Sequence, residues 1–200
     1  MDLASAVPDS LPPPTPPPPP QPNQDLPLPV TLEIHLSLSS NHALPLDFSY
    51  PSAAFRRNPQ LTTKLMNEPA CTPPQTMLRL RISEGLYHAE FDVVHNPRTE
   101  SVTVGDFLTA IQRRLRHYDY GRGPLEAHPY LHRRIATVNG YCRDRDPRRE
   151  AENIAAERDG GGRFVDHLLG HTLFVGMVQV PGTEENVWTV GLSVPERYAK

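Results

Sequence analysis

The sequence predicts an α+β domain with a mainly antiparallel sheet and one principal helix on one face, and three observations predict it. Met77 to Ile82 and Leu86 to Val94 both alternate apolar with polar residues across a short break. Farther on, the nearly continuous apolar run Thr172 to Val180 is joined through Pro181-Gly182 to a second alternating run, Val187 to Val194. Between the two pairs, Val104, Phe107, Leu108, Ile111 and Leu115 recur at helical spacing.

Residues 1–29 form a proline-rich leader, expected to be disordered. From Leu11 to Pro22 nearly every residue is proline, which removes backbone donors and fixes φ near the polyproline II value. Such a segment serves as a stiff solubilising tail or as a ligand for a proline-recognising module. The first basic residue is Arg56, so the basic anchor of SH3 ligands is missing, although Leu11 ahead of the prolines leaves an actin-regulator type of ligand open.

The domain is expected over residues 30–198. Val30, Leu32, Ile34, Leu36 and Leu38 alternate with Thr31, Glu33, His35 and Ser37, the pattern of a half-buried strand. Leu44 to Tyr50 reads as a short extended piece closed by Pro51, and the segment from there to Pro74 as loop. In the first hairpin, matching apolar to apolar requires an even loop. A Glu84-Gly85 turn would set Leu78 opposite Phe91, Leu80 opposite Ala89 and Arg79 opposite Glu90, with a four-residue loop as the alternative.

Thr103 stands three residues before Asp106, close to a capping box, and opens the principal helix at about residues 104–117; Arg113, Arg114 and Arg116 then suit its negative end. A weaker helix is expected at about residues 129–138, buried through Leu131, Ile135 and Val138 and ended by Gly140. Residues 143–162, charged in both signs and closed by three glycines, read as a solvated insert with at most a frayed turn of helix.

Composition bounds the function. Of the 200 residues, 24 are proline, and the net charge of −3 arises because residues 1–55 hold five acids and no base. No run approaches the roughly 20 apolar residues that cross a bilayer, and the leader lacks a signal or transit pattern, so an intracellular place, cytoplasmic or nuclear, is expected without membrane contact. Cys71 and Cys142 are too few for a disulfide scaffold and too far apart for a zinc site; both read as plain thiols.

Four segments carry a resemblance: Pro69-Ala70-Cys71-Thr72-Pro73-Pro74, Leu78-Arg79-Leu80, Val102 to Ile111, and Arg163 to Gly176. In this order the chain, over roughly residues 44–194, resembles a basidiomycete fungal family that is a domain of unknown function. The resemblance implies a fungal origin and no chemistry. His167 stands where that family has an aromatic or aliphatic residue, which implies a packing position.

Among candidate sites, His128 and His132 have the spacing of zinc peptidases, but Pro129 follows where a catalytic Glu is required. His167 and His171 beside Asp166 form a second pair, interrupted by Gly170. A metal-dependent hydrolase on these histidines is therefore the weakest reading, no Gly-x-Ser-x-Gly elbow is present, and neither metal nor cofactor is expected. Residues 112–149 hold ten arginines against four acids, with tyrosines interleaved. Arg113, Arg116, Arg133, Arg134, Arg143 and Arg145 with Tyr118 and Tyr120 could pair phosphates and stack bases, or could line a solvated helix end. The leading expectation is a non-enzymatic interaction domain with an unknown protein partner, the alternative a weak polyanion or nucleic-acid binder. Oligomeric state is left open.

Overall fold

The computed structural model describes residues 32–118, 129–159, 161–180 and 187–196. Its main sheet has four strands in the order β4-β3-β6-β5, where β3 is Met77–Glu84, β4 Tyr87–Val94, β5 Leu173–Gln179 and β6 Val187–Ser193. Both hairpins are antiparallel, as their alternation predicts, and they meet through a parallel pairing of β3 with β6 at the centre. A second, minor sheet pairs β1 (Glu33–Ile34) with β2 (Cys71–Thr72).

Helix α3 (Val104–Arg116) covers one face of the main sheet. The Thr103 hydroxyl accepts the Asp106 N–H at 3.0 Å and the Asp106 carboxylate accepts the Thr103 N–H at 3.1 Å, so the expected capping box is formed. Val104, Phe107, Leu108, Ile111 and Leu115 are fully buried with Leu78, Leu80 and Ile82 of β3 and Val190 of β6. Each such side chain stabilises the fold by about 1.5–3 kcal/mol relative to leaving it in water. The opposite face of β3 and β4 is mixed, with Met77 and Val94 exposed at its end, and carries cross-strand ion pairs, Arg79–Asp92 at 2.8 Å and Arg81–Glu90. Short helices α1 (Ser52–Phe55) and α2 (Thr63–Met66) occupy the segment expected to be loop.

Several expectations are corrected. The β3–β4 register is shifted by two: Leu78 faces Val93, Leu80 faces Phe91, and Arg79 faces Asp92 rather than Glu90. The reason lies in the turn, which is Gly85-Leu86; Gly85 adopts φ of 58°, as the first central position of a two-residue hairpin loop demands, and Glu84 stays in the strand. Both apolar faces survive a shift of two, so Phe91 remains opposite in face to Arg79.

The expected strand from Val30 to Leu38 shrinks to Glu33–Ile34, with Val30 outside the described residues. His35 diverts it, because its Nδ1 accepts the Ser37 N–H and starts a 3-10 turn over Leu36–Leu38 that leaves Leu36 62% exposed. The second helix, α4, runs over Pro129–Arg143 and passes through Gly140 instead of ending there; no positive φ occurs at that glycine. The charged segment contains a full helix, α5 (Glu150–Asp159), which buries no residue completely. The leader lies outside the described residues.

Candidate functional site

The arginines selected by sequence density divide by direction. Arg116 at the end of α3 and Arg134 in α4 point inward and, together with Arg163 from outside the arginine-rich segment, ahead of the 3-10 turn Phe164–Leu168, converge on Glu157 of α5. Glu157 Oε1 accepts from Arg116 at 2.8 Å, its Oε2 contacts Arg134, and Arg163 Nη2 lies 3.4 Å away. Asp166 completes the network by accepting the Arg134 Nε–H at 2.8 Å. The Arg134 and Asp166 side chains are 2% and 1% exposed, too little for either to meet an external polyanion.

Electrostatics follow from that burial. Desolvation lowers the Arg116 guanidinium to about 10, opposed by Glu157 and reinforced by Arg163 and Arg134. For Glu157, burial alone would raise the carboxyl, but Arg116, Arg163 and Arg134 outweigh it and hold it below the ordinary range. The network is a fastening between α3, α4, α5 and the 3-10 turn.

The other selected residues lie elsewhere. Arg133, Arg143 and Arg145 are exposed along α4 and just beyond it, while Arg113 sits on another face. Tyr118 is not an open stacking platform, since the Arg163 guanidinium lies 4.4 Å from its ring centre. Tyr141 packs edge-on against Tyr50 and carries Arg145 at 5.7 Å, and Tyr130 carries Arg133 at 5.2 Å. Tyr120 and His128 lie outside the described residues.

The remaining histidines stand apart. His132 is exposed on α4 and His167 is buried, its carbonyl accepting the Leu86 N–H at 2.8 Å. His171 lies 3.7 Å from Glu84. Among the described residues no three of His, Cys, Asp and Glu are grouped to hold a metal ion. Cys71 is buried, and burial raises its thiol above the ordinary value.

A different place has the form of a binding site. An open groove of about 680 Å³ runs between the end of β4 with its following loop and the first turns of α3. The loop is shaped by Asn96, whose Oδ1 accepts the Arg98 N–H at 3.0 Å, and by His95, whose Nδ1 lies 2.7 Å from the Thr99 carbonyl. Opposite, Gly105 lets α2 approach α3 so closely that an added Cβ would stand 2.6 Å from the Met66 carbonyl. Three arginines line this groove: Arg56 after α1, Arg98 in the loop and Arg113 on α3.

None of the three makes an ion pair among the described residues. The two carboxylates in the lining are already engaged, Asp92 with Arg79 and Asp106 with Thr103. Val94, 60% exposed, and Pro97 add an apolar strip. The groove continues into a side cavity of about 250 Å³ that shares Arg56, Met66, Thr109 and Arg113 with it. Of the residues lining this site the sequence offered only Arg113 as a candidate binding residue. Arg56 and Arg98 are 42 positions apart and join only through the fold.

Comparison with curated proteins and with solved structures returned no match. A family model does match over residues 44–186, most of the chain and all of the groove. The protein belongs to that family, described as a family of unknown function (DUF6699).

Proposed function

We propose that the domain is a non-enzymatic interaction module that holds an extended, acidic segment of an intracellular protein partner in the groove between β4 and α3. One observation carries this reading: Arg56, Arg98 and Arg113 share a groove and none of them has a carboxylate partner among the described residues, whereas the inward-facing Arg116, Arg134 and Arg163 are each paired with one. Guanidinium groups so placed present forked donors to carboxylates, and the strip of Val94 and Pro97 suits an apolar side chain between acidic ones. No described helix is long and apolar enough to cross a membrane.

Fluorescence polarisation with a labelled glutamate-rich dodecapeptide tests the reading. Binding is expected to weaken about tenfold or more when Arg98 and Arg113 are both changed to Gln, since the loss of even one charge-assisted bond of about 1.5 kcal/mol is roughly tenfold. Equal affinity in the double variant would overturn it.

A nucleic-acid reading through exposed Arg133, Arg143 and Arg145 is the alternative. Its binding would be charge-driven and steeply salt-dependent, because the tyrosine faces beside those arginines are already covered.

A further inference from the structure

The side cavity holds a donor that the fold leaves unused. Gln112 is on the inner face of α3 and only 3% exposed. Its Oε1 accepts the Ser52 hydroxyl at 3.0 Å, which orients the amide, and its Nε2 is buried with no hydrogen-bond partner among the described residues. A buried amide N–H left without an acceptor is unfavourable, so an acceptor arriving there is favoured. Gln112 lines the side cavity, with Arg56 and Arg113 at its junction with the groove.

We infer that this cavity receives a phosphorylated side chain of the partner, an inference that rests on the groove reading above. Charge decides between phosphoryl and carboxylate. Two guanidinium groups that make no ion pair among the described residues match the roughly −1.5 to −2 charge of a phosphomonoester, whereas a carboxylate leaves one cation unbalanced. Donor count agrees, because two forked guanidiniums together with an amide N–H suit three acceptor oxygens better than two. Phe55, Leu61 and Met66 in the same wall would lie against the carbon stem or ring that carries the phosphate. The cavity therefore combines an apolar wall, a cationic rim and one buried neutral donor.

The test uses labelled acidic dodecapeptides of one sequence carrying Tyr, phosphotyrosine, Ser, phosphoserine or Glu at the central position. Wild-type protein is compared with Arg113→Gln, Gln112→Glu and Arg98→Gln, each checked for folding by the emission of Trp188, the single tryptophan. Gln112→Glu keeps the shape, removes the donor and adds a carboxylate that opposes phosphate; if it fails to fold, exposed Arg113→Gln still reads the site. At least one phosphopeptide is expected to bind about tenfold tighter than both its unmodified parent and the Glu peptide, and that gain should shrink to less than about threefold in the Arg113 and Gln112 variants. The tyrosine and serine arms tell which residue carries the phosphate. If phosphorylation brings no gain while Arg98→Gln still weakens the acidic peptides, the inference fails and the groove reading stands. If no acidic peptide binds, both fail.

Discussion

Replacing Glu157 by glutamine removes the carboxylate that touches Arg116, Arg134 and Arg163 together. In the native protein these three cations face two carboxylates, Glu157 and Asp166, and the five side chains are at most 13% exposed. The variant would leave the three guanidiniums with Asp166 as the remaining carboxylate of the network, in a site with little access to water. Breaking a buried pair by removing one partner costs about 3–5 kcal/mol. At roughly 2–4 °C per kcal/mol for a domain of this size, the melting midpoint should fall by about 6–20 °C.

Trp188 is 4% exposed, so thermal and urea unfolding followed by its emission report loss of the core. Changing Arg116 to Met in the same chain should return part of the loss, because one unpaired cation disappears with its partner. A loss below about 1 kcal/mol in Glu157→Gln would place the network among surface ion pairs and refute the reasoning.

Acid should act through the same group. Because the Glu157 carboxyl is held below its unfolded value, its contribution is present above that value and is lost as pH falls through the folded one. Stability should therefore decline below roughly pH 4.3 in the native protein and decline less steeply in Glu157→Gln, as urea titrations from pH 3 to 6 would record. Gly140→Ala should stabilise α4 by about 0.5–1 kcal/mol, since nothing lies within 4 Å of the added carbon; a lower melting temperature would mean that the glycine has another role. Gly176→Ala should instead destabilise by about 1–3 kcal/mol, because φ there is 115° and the new Cβ would stand 2.4 Å from Ser40 Cα. An unchanged urea midpoint for that variant would show that the 39–40 segment yields readily.

How much of this was legible in the sequence depends on how local each signal is. Alternation in Met77 to Val94 sets the two faces, but register turns on whether Glu84 or Gly85 opens the turn, and the conformational requirement favours Gly85. The stripe of α3 and its Thr103 cap are local and emerge as expected. His35 illustrates the opposite case: one imidazole accepting the Ser37 N–H ends a strand that five alternating residues support. In α5 a charged composition conceals Glu157, whose partners lie 6, 23 and 41 residues away and give it a structural role that no window of sequence contains.

The site follows the same logic. Arginine density drew attention to residues 112–149, yet density carries no direction, and Arg116 and Arg134 turn inward to carboxylates. Arg56 and Arg98 are isolated in sequence and acquire meaning only beside α3. Gln112 did leave a trace. It falls on the apolar stripe between Leu108 and Leu115, where a polar side chain needs a partner, and its amide N–H has none among the described residues.

The claim that the groove is the binding surface is tested most directly by backbone amide shift mapping of the protein titrated with the glutamate-rich peptide. Saturable shifts concentrated in 96–99 and 103–113, absent from the Arg98→Gln, Arg113→Gln double variant, are the predicted result. Shifts gathered instead on α4 around Arg133, Arg143 and Arg145, with 96–113 unmoved, would contradict it.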